Sequence, residues 1–130
     1  MTMPYSDSQR RLYLDFLDGL GQRWLEIFEG NTEFYSAPYW DLLKEVWSHA
    51  APVRKTDALS FMTGIKSPHT AGKYIDAAIE YGFLVETENP ADARSKLISL
   101  SPAMRAKLDA YFDDAVAALC RSAKEIESEG

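Results

Sequence analysis

Apolar residues recur along most of this 130-residue chain at intervals of three and four, the spacing of helices that bury one face. Over residues 7–29, Leu12, Phe16, Leu20 and Trp24 form one stripe, which Tyr13, Leu17, Ile27 and Phe28 widen. Asp7 or Ser8 can cap this first helix, Gly19 and Gly21 predict a bend in it, and Glu29-Gly30-Asn31 ends it. Residues 36–49 predict a second helix with Ser36 as cap, Pro38 in the first turn, and Leu42, Leu43, Val46 and Trp47 facing inward. Pro52 stops that run, and Val53-Arg54 reads as a short edge strand. A third helix is expected over 56–63, capped by Thr56, with Leu59 and Met62 toward the core and Phe61 assisting. Gly64 is expected as its left-handed C-cap, and Ile65 as the plug of the following corner.

Residues 67–101 change period twice. Ser67 and Pro68 open a helix whose inner face is Ala71, Tyr74, Ile75, Ala78 and Ile79, and Gly82 stops it. Two β-rich runs follow, separated by the polar turn Asn89–Arg94, which predicts a hairpin. Ser101 then caps a long last helix over 102–127, where Met104, Leu108, Phe112, Ala115, Leu119, Ser122 and Ile126 repeat at steps of three and four. At 1.5 Å per residue this helix is about 39 Å long, more than a domain of this size can cover, so its free part is expected to pair with another copy.

Helix, turn, helix and hairpin in that order make a winged helix-turn-helix. Gly64-Ile65-Lys66-Ser67 in the turn, Thr70 early in the second helix, Gly82 closing it, Asp92-Ala93-Arg94 at the wing tip and Leu100-Ser101 leaving it carry a further likeness. In these positions the chain resembles the multiple-antibiotic-resistance regulator (MarR) family of bacterial transcription factors. The resemblance implies a mainly α fold (an α+β winged helix) with a two-stranded wing on a DNA-binding lobe, residues 36–101. N- and C-terminal dimerisation helices, residues 1–35 and 102–130, flank that lobe within one compact domain. It also implies a homodimer that binds a palindromic duplex in the cytoplasm and regulates transcription. A winged-helix module that has exchanged DNA for a protein partner is the alternative.

Composition narrows the rest. No apolar run approaches the roughly 18 residues of a membrane span, and the N-terminus Met-Thr-Met-Pro-Tyr-Ser lacks the charged-then-apolar pattern of a signal peptide. A single cysteine, Cys120, excludes an intramolecular disulfide, and its place beside Val116 and Leu119 reads as packing. His49 and His69 have no acidic partner at metal-ligand spacing, and no phosphate loop or nucleophile motif occurs. No metal, cofactor or enzymatic activity is therefore expected. The net charge of −6 is uneven: residues 1–51 carry −4, residues 101–130 carry −2, and residues 52–100 balance six Lys/Arg against six Asp/Glu. A DNA face on an acidic body fits this distribution.

The candidate DNA contacts lie in the central segment. The exposed side of the second motif helix is expected to carry Pro68, His69, Thr70, Gly72, Lys73 and Ala77, with Lys73 and Thr70 reaching base edges or phosphates. His69 is expected on a base or phosphate, and His49 at the free carbonyls of a helix end. Arg54, Lys55 and Lys66 are candidate phosphate contacts, and Ser67 and Lys96 complete the set. Arg94 stands at the hairpin tip, where an arginine can enter a narrow minor groove, with Asp92 holding the turn or orienting the guanidinium. Aromatic residues crowd the first forty-seven positions. The resemblance suggests a small aromatic effector held by Trp24, Phe28, Tyr39, Trp40 and Trp47. Plain core packing is the competing reading of that cluster.

Overall fold

The computed structural model describes residues 4–129. Residues 1–3 and 130, the outer ends of the two segments expected to dimerise and part of the N-terminus read for a signal, lie outside the described residues. The chain divides into two compact units, Met1–Thr32 with Asp109–Gly130, and Glu33–Leu108.

The first unit is helical. It holds α1 (Asp7–Ile27) and the later turns of the C-terminal helix, Pro102–Glu129. The cap of α1 is Ser6, one residue before the expected Asp7. Ser6 Oγ accepts from the Gln9 amide at 3.1 Å, and Gln9 Oε1 accepts from the Ser6 amide at 2.8 Å. This reciprocal capping box satisfies two orphan donors, which a cap at Asp7 or Ser8 would leave open. Gln9 is buried, and its Nε2 donates to Ile126 O at 2.9 Å. Arg23 reaches Asp114 O at 3.4 Å, so the two helices run antiparallel. Trp24 packs edge-on against Phe28 and Tyr111, with ring centroids 4.9 and 5.7 Å apart. Helix α1 passes unbroken through Gly19 and Gly21, and positive φ angles at Glu29 and Gly30 follow it. Leu12, Phe16 and Leu20 are half-buried and Trp24, Ile27 and Phe28 buried, as their stripe predicts. Tyr13 and Leu17, expected to widen it, are exposed, as are Leu14, Val116 and Leu119. Cys120, expected as a packing residue, is also exposed in the single chain.

The second unit is a winged helix. A 3-10 turn, Thr32–Tyr35, delivers the fully buried Phe34, which meets Tyr39, Tyr81 and Phe83 edge-on at 4.6–4.7 Å. Helix α2 is Ala37–Ser48; Ser36 stands at its cap position without a side-chain capping bond. Strand β1, Val53–Arg54, is the edge strand the sequence predicts. The expected 56–63 helix is instead α3, Lys55–Ala58, followed by a 3-10 turn, Leu59–Phe61. It begins early because β1 ends at Arg54, paired to Leu97, so Arg54 rather than Thr56 occupies the cap position. Met62 leaves the turn at φ −88° and ψ 84°, so the chain reverses there and Gly64 needs no left-handed backbone.

Helix α4, Pro68–Glu80, starts where Ser67 Oγ accepts from the Thr70 amide at 3.3 Å. It buries Ala71, Ile75 and Ala78. Gly82, at φ 80°, closes it in a Schellman motif: its amide donates to Ile79 O at 3.0 Å, and that of Phe83 to Ala78 O at 2.9 Å. Strands β2 (Leu84–Glu88) and β3 (Lys96–Leu100) form the antiparallel wing, from Leu84 opposite Leu100 to Glu88 opposite Lys96. Strand β1 adds to the other edge of β3, giving the order β1-β3-β2. Ser101 then caps α5, Pro102–Glu129, by accepting from the Met104 amide at 3.1 Å. Leu42, Leu43, Met62, Ile75, Leu84, Ile98 and Leu108 fill the core. The fold is mainly α, a helix-turn-helix with a small wing.

Candidate nucleic-acid interface

The outer face of α4 follows from its inner one. With Ala71, Ile75 and Ala78 buried, steps of three and four place His69, Lys73, Asp76 and Glu80 on the opposite side, and all four are exposed. Gly72 and Ala77, expected outside, are half-buried on the flanks. Asp76 and Glu80 are the residues the earlier expectation omitted. The outward stripe is therefore basic toward the N-terminus and acidic toward the C-terminus. Among the described residues, the side chains of Lys66, His69 and Lys73 have no hydrogen bond or ion pair, so they are free to meet an acidic ligand.

Lys55 has a different setting. Its ammonium, half-buried at the start of α3, lies 2.9 Å from Asp76 Oδ1 on α4 and 2.7 Å from Glu86 Oε2 on β2. Burial works against its charge, but its hydrogen bonds to Glu86 and Asp76, together with the attraction of the two carboxylates, outweigh burial and raise its pKa above the usual lysine value. Lys55 thus bridges α4 and the wing. Arg54 is forked onto Asp57, Nε at 2.9 Å from one oxygen and NH2 at 3.1 Å from the other. That hydrogen bond, with the attraction of the same carboxylate, raises the Arg54 pKa. Lys96 pairs across the wing with Glu88.

The wing tip is held by its own side chains. Asn89 Oδ1 accepts from the Ala91 amide at 3.0 Å, and Asp92 Oδ1 from the Arg94 amide at 3.0 Å. The Ser95 amide donates to Asp92 O at 3.0 Å. The first two are Asx turns, in which a short side chain stands in for a backbone carbonyl, and the third is a backbone turn. Arg94 is carried outward by them; its side chain is 94% exposed, with Nε 3.6 Å from Asp92 Oδ1. Asp92 therefore acts first on the backbone of the tip.

The remaining candidates divide between the units. Trp24 and Phe28 are buried in the helical unit. In the winged unit Tyr39 is buried among Phe34 and Tyr74, Trp40 is half-buried, and Trp47 lies under the Arg105 guanidinium at 5.1 Å. Burial, then the nearby Glu33 carboxylate, pushes the Tyr39 phenol up to about 12. His49 meets the carbonyl it was expected to find, Nδ1 lying 2.8 Å from Glu45 O, and its ring stacks on Phe61 at 5.4 Å. A groove of about 740 Å³ in the helical unit is lined by Tyr5, Gln9, Tyr13, Leu14 and Ile126, with none of the five expected effector residues. No helix among the described residues is long and apolar enough to cross a membrane.

No family model matches the chain, and no curated protein does. Solved structures do match. The transcriptional regulator Tm0710 from Thermotoga maritima is similar at 15% identity and a TM-score of 0.56, over 95% of this chain and 81% of that one. A mutant of Escherichia coli MarR complexed with operator DNA gives 15% identity and a TM-score of 0.54, over 92% of this chain and 94% of that one. The chain has the MarR-type winged-helix fold. The heme sensor protein PefR from Streptococcus agalactiae, solved in complex with heme, shares the fold at 18% identity and a TM-score of 0.56, over 90% of this chain and 77% of that one.

Proposed function

We propose that this chain is a sequence-specific, DNA-binding transcription regulator of the MarR type that acts in the cytoplasm as a homodimer on a palindromic duplex. The observation that carries the reading is the set of exposed donor side chains on the two parts of the motif. Lys66, His69 and Lys73 stand unpaired at the turn and on the outer face of α4, and Arg94 is almost wholly exposed at the wing tip. A helix of this kind suits the major groove and an arginine on a wing suits a minor groove. Exposed Tyr13, Leu14 and Leu17 on α1 and Val116 and Leu119 on α5 supply the apolar surface for pairing. A small aromatic effector belongs to the same reading. It rests on the aromatic content of the two units and on the ligand-bound state of one structural neighbour.

Light scattering at micromolar concentration tests the dimer, and fluorescence anisotropy on random and selected duplexes at several salt concentrations tests the DNA. The expected outcome is a dimer whose affinity falls steeply with salt and rises on a palindrome with half-sites about 34–36 Å apart. A monomer without salt-sensitive duplex binding would instead favour a protein-interaction module. Quenching of tryptophan fluorescence by small aromatic acids tests the effector.

A further inference from the structure

An acidic residue near the middle of a recognition helix is unfavourable for binding phosphates, and Asp76 is such a residue. It lies on the outward stripe one turn after Lys73, and its carboxyl is 66% exposed. Oδ1 accepts from Lys55 Nζ at 2.9 Å, which fixes the carboxylate between α3 and α4. The same ammonium is held from the wing by Glu86 Oε2 at 2.7 Å, so three elements of the motif set its position. The second carboxylate oxygen has no partner among the described residues. That second oxygen is thus an oriented acceptor with no donor.

Resting on the DNA-binding reading, we propose that Asp76 is a specificity-determining residue that accepts a hydrogen bond from the N4 amino group of a cytosine in the major groove. Lys55 is its positioning residue. Only cytosine and adenine offer an amino donor on that edge. Adenine places the N7 acceptor beside its N6 amino group, which repels a carboxylate, whereas the cytosine edge presents the donor alone. Guanine and thymine face the groove with acceptors and are rejected outright. Lys73, three residues earlier, is a donor without acceptors and suits guanine O6 and N7. Three helical residues rise about 4.5 Å and one base-pair step about 3.4 Å. The preferred half-site therefore holds a cytosine within about one step of the guanine that Lys73 reads. The same charge penalises every other sequence, because the carboxylate oxygen that Lys55 leaves open then faces acceptors and phosphates.

The test is selection from a randomised duplex pool by the full chain and by Asp76→Ala, Asp76→Asn and Lys55→Met, followed by anisotropy on the selected site and its single-base variants. The wild type is expected to enrich one cytosine per half-site and to prefer it about five- to tenfold over the other bases, the lower range for one side-chain–base pair. Asp76→Ala should lose that preference at that position alone and bind random duplex at least as tightly as the wild type. Asp76→Asn should move the preference to adenine, the base whose N6 and N7 an amide matches. Lys55→Met should weaken the cytosine preference without creating one for adenine, an outcome that a purely structural lysine would not produce. Asp76 is exposed, so both of its variants should fold, which circular dichroism checks. A wild-type motif without that cytosine, or Asp76 variants with the wild-type base preference, would overturn the inference while leaving the DNA-binding reading intact. A wild type that binds no duplex at any salt overturns both.

Discussion

On the DNA-binding reading, the salt dependence of duplex binding by a dimer turns the ion pairs of the winged unit into a number. Six Lys/Arg side chains are candidates: Arg54, Lys55, Lys66, Lys73, Arg94 and Lys96. Three are already matched by carboxylates: Arg54 by Asp57, Lys55 by Asp76 and Glu86, and Lys96 by Glu88. A cation in such a pair can neutralise a phosphate only by giving up its carboxylate. Lys66 and Lys73 remain unpaired, and Arg94, 3.6 Å from Asp92 but 94% exposed and without a side-chain hydrogen bond to it, counts with them, about six cations in a dimer. With about 0.9 counterions released per phosphate, log K should fall against log salt with a slope of roughly −5, not the −11 expected if all six per chain took part. Lys66→Ala should flatten the slope by about 2, because the dimer loses two phosphate contacts. Lys55→Ala should lower affinity at every salt concentration and leave the slope nearly unchanged, since it removes no phosphate contact but exposes two carboxylates to the DNA. Anisotropy from about 20 to about 300 mM salt (roughly a fifteenfold range, chosen to resolve slopes of this size) measures both. Equal flattening by the two substitutions would refute the division into matched and free cations.

Ile75→Ala should destabilise the fold by about 2–5 kcal/mol in chemical denaturation, the usual cost of emptying a buried isoleucine site, since Ile75 is wholly buried in the winged unit. Gly82→Ala should cost about 1–2 kcal/mol, because φ is 80° there and a Cβ is strained in that region. Ser6→Ala should cost about 0.5–2 kcal/mol by opening the capping box of α1, and thermal melting reads both changes. The raised Tyr39 phenol predicts a loss of stability at high pH. Its contribution is complete below the unfolded-state value near 10 and is lost as pH rises toward the folded value of about 12. Denaturation at pH 9 and 11 should show the decline, and Tyr39→Phe should reduce it.

The elements with long periodic faces were legible from the chain alone. α1, α2, α4 and α5 fall within two residues of their expected limits, because burying one stripe leaves a helix few other registers. Ser67, Gly82 and Ser101 act as local chemistry predicts, each through a backbone bond it alone can make or permit. The errors lie where a tertiary contact outweighs a local signal. Thr56 is a reasonable cap in isolation, yet the pairing of Arg54 with Leu97 starts α3 sooner. The Ser6–Gln9 box was missed because Gln9 is polar and its burial comes from a carbonyl 117 residues away. The ion-pair bridge needed three dimensions, since Lys55 meets carboxylates 21 and 31 positions along the chain. The place of Asp76 on the outer stripe was nonetheless readable, three residues after Lys73 and opposite Ala71, Ile75 and Ala78.

That placement bears on the acidic total. On the DNA-binding reading, a chain of net charge −6 with three exposed cations per motif draws little attraction from random DNA, where affinity comes almost wholly from phosphate contacts. What governs site occupancy is the ratio of specific to non-specific affinity multiplied by the number of competing sites. Sparse cations lower the non-specific term, and an oriented carboxylate on α4 lowers it further while leaving one base partner favourable. The acidic body and the acidic half of the recognition helix therefore act in the same direction under the DNA-binding reading. Adding cations, for example Asp76→Lys, should raise affinity for random duplex more than for the selected site and so narrow the specificity ratio. If the ratio widened instead, the charges on α4 would have no part in discrimination.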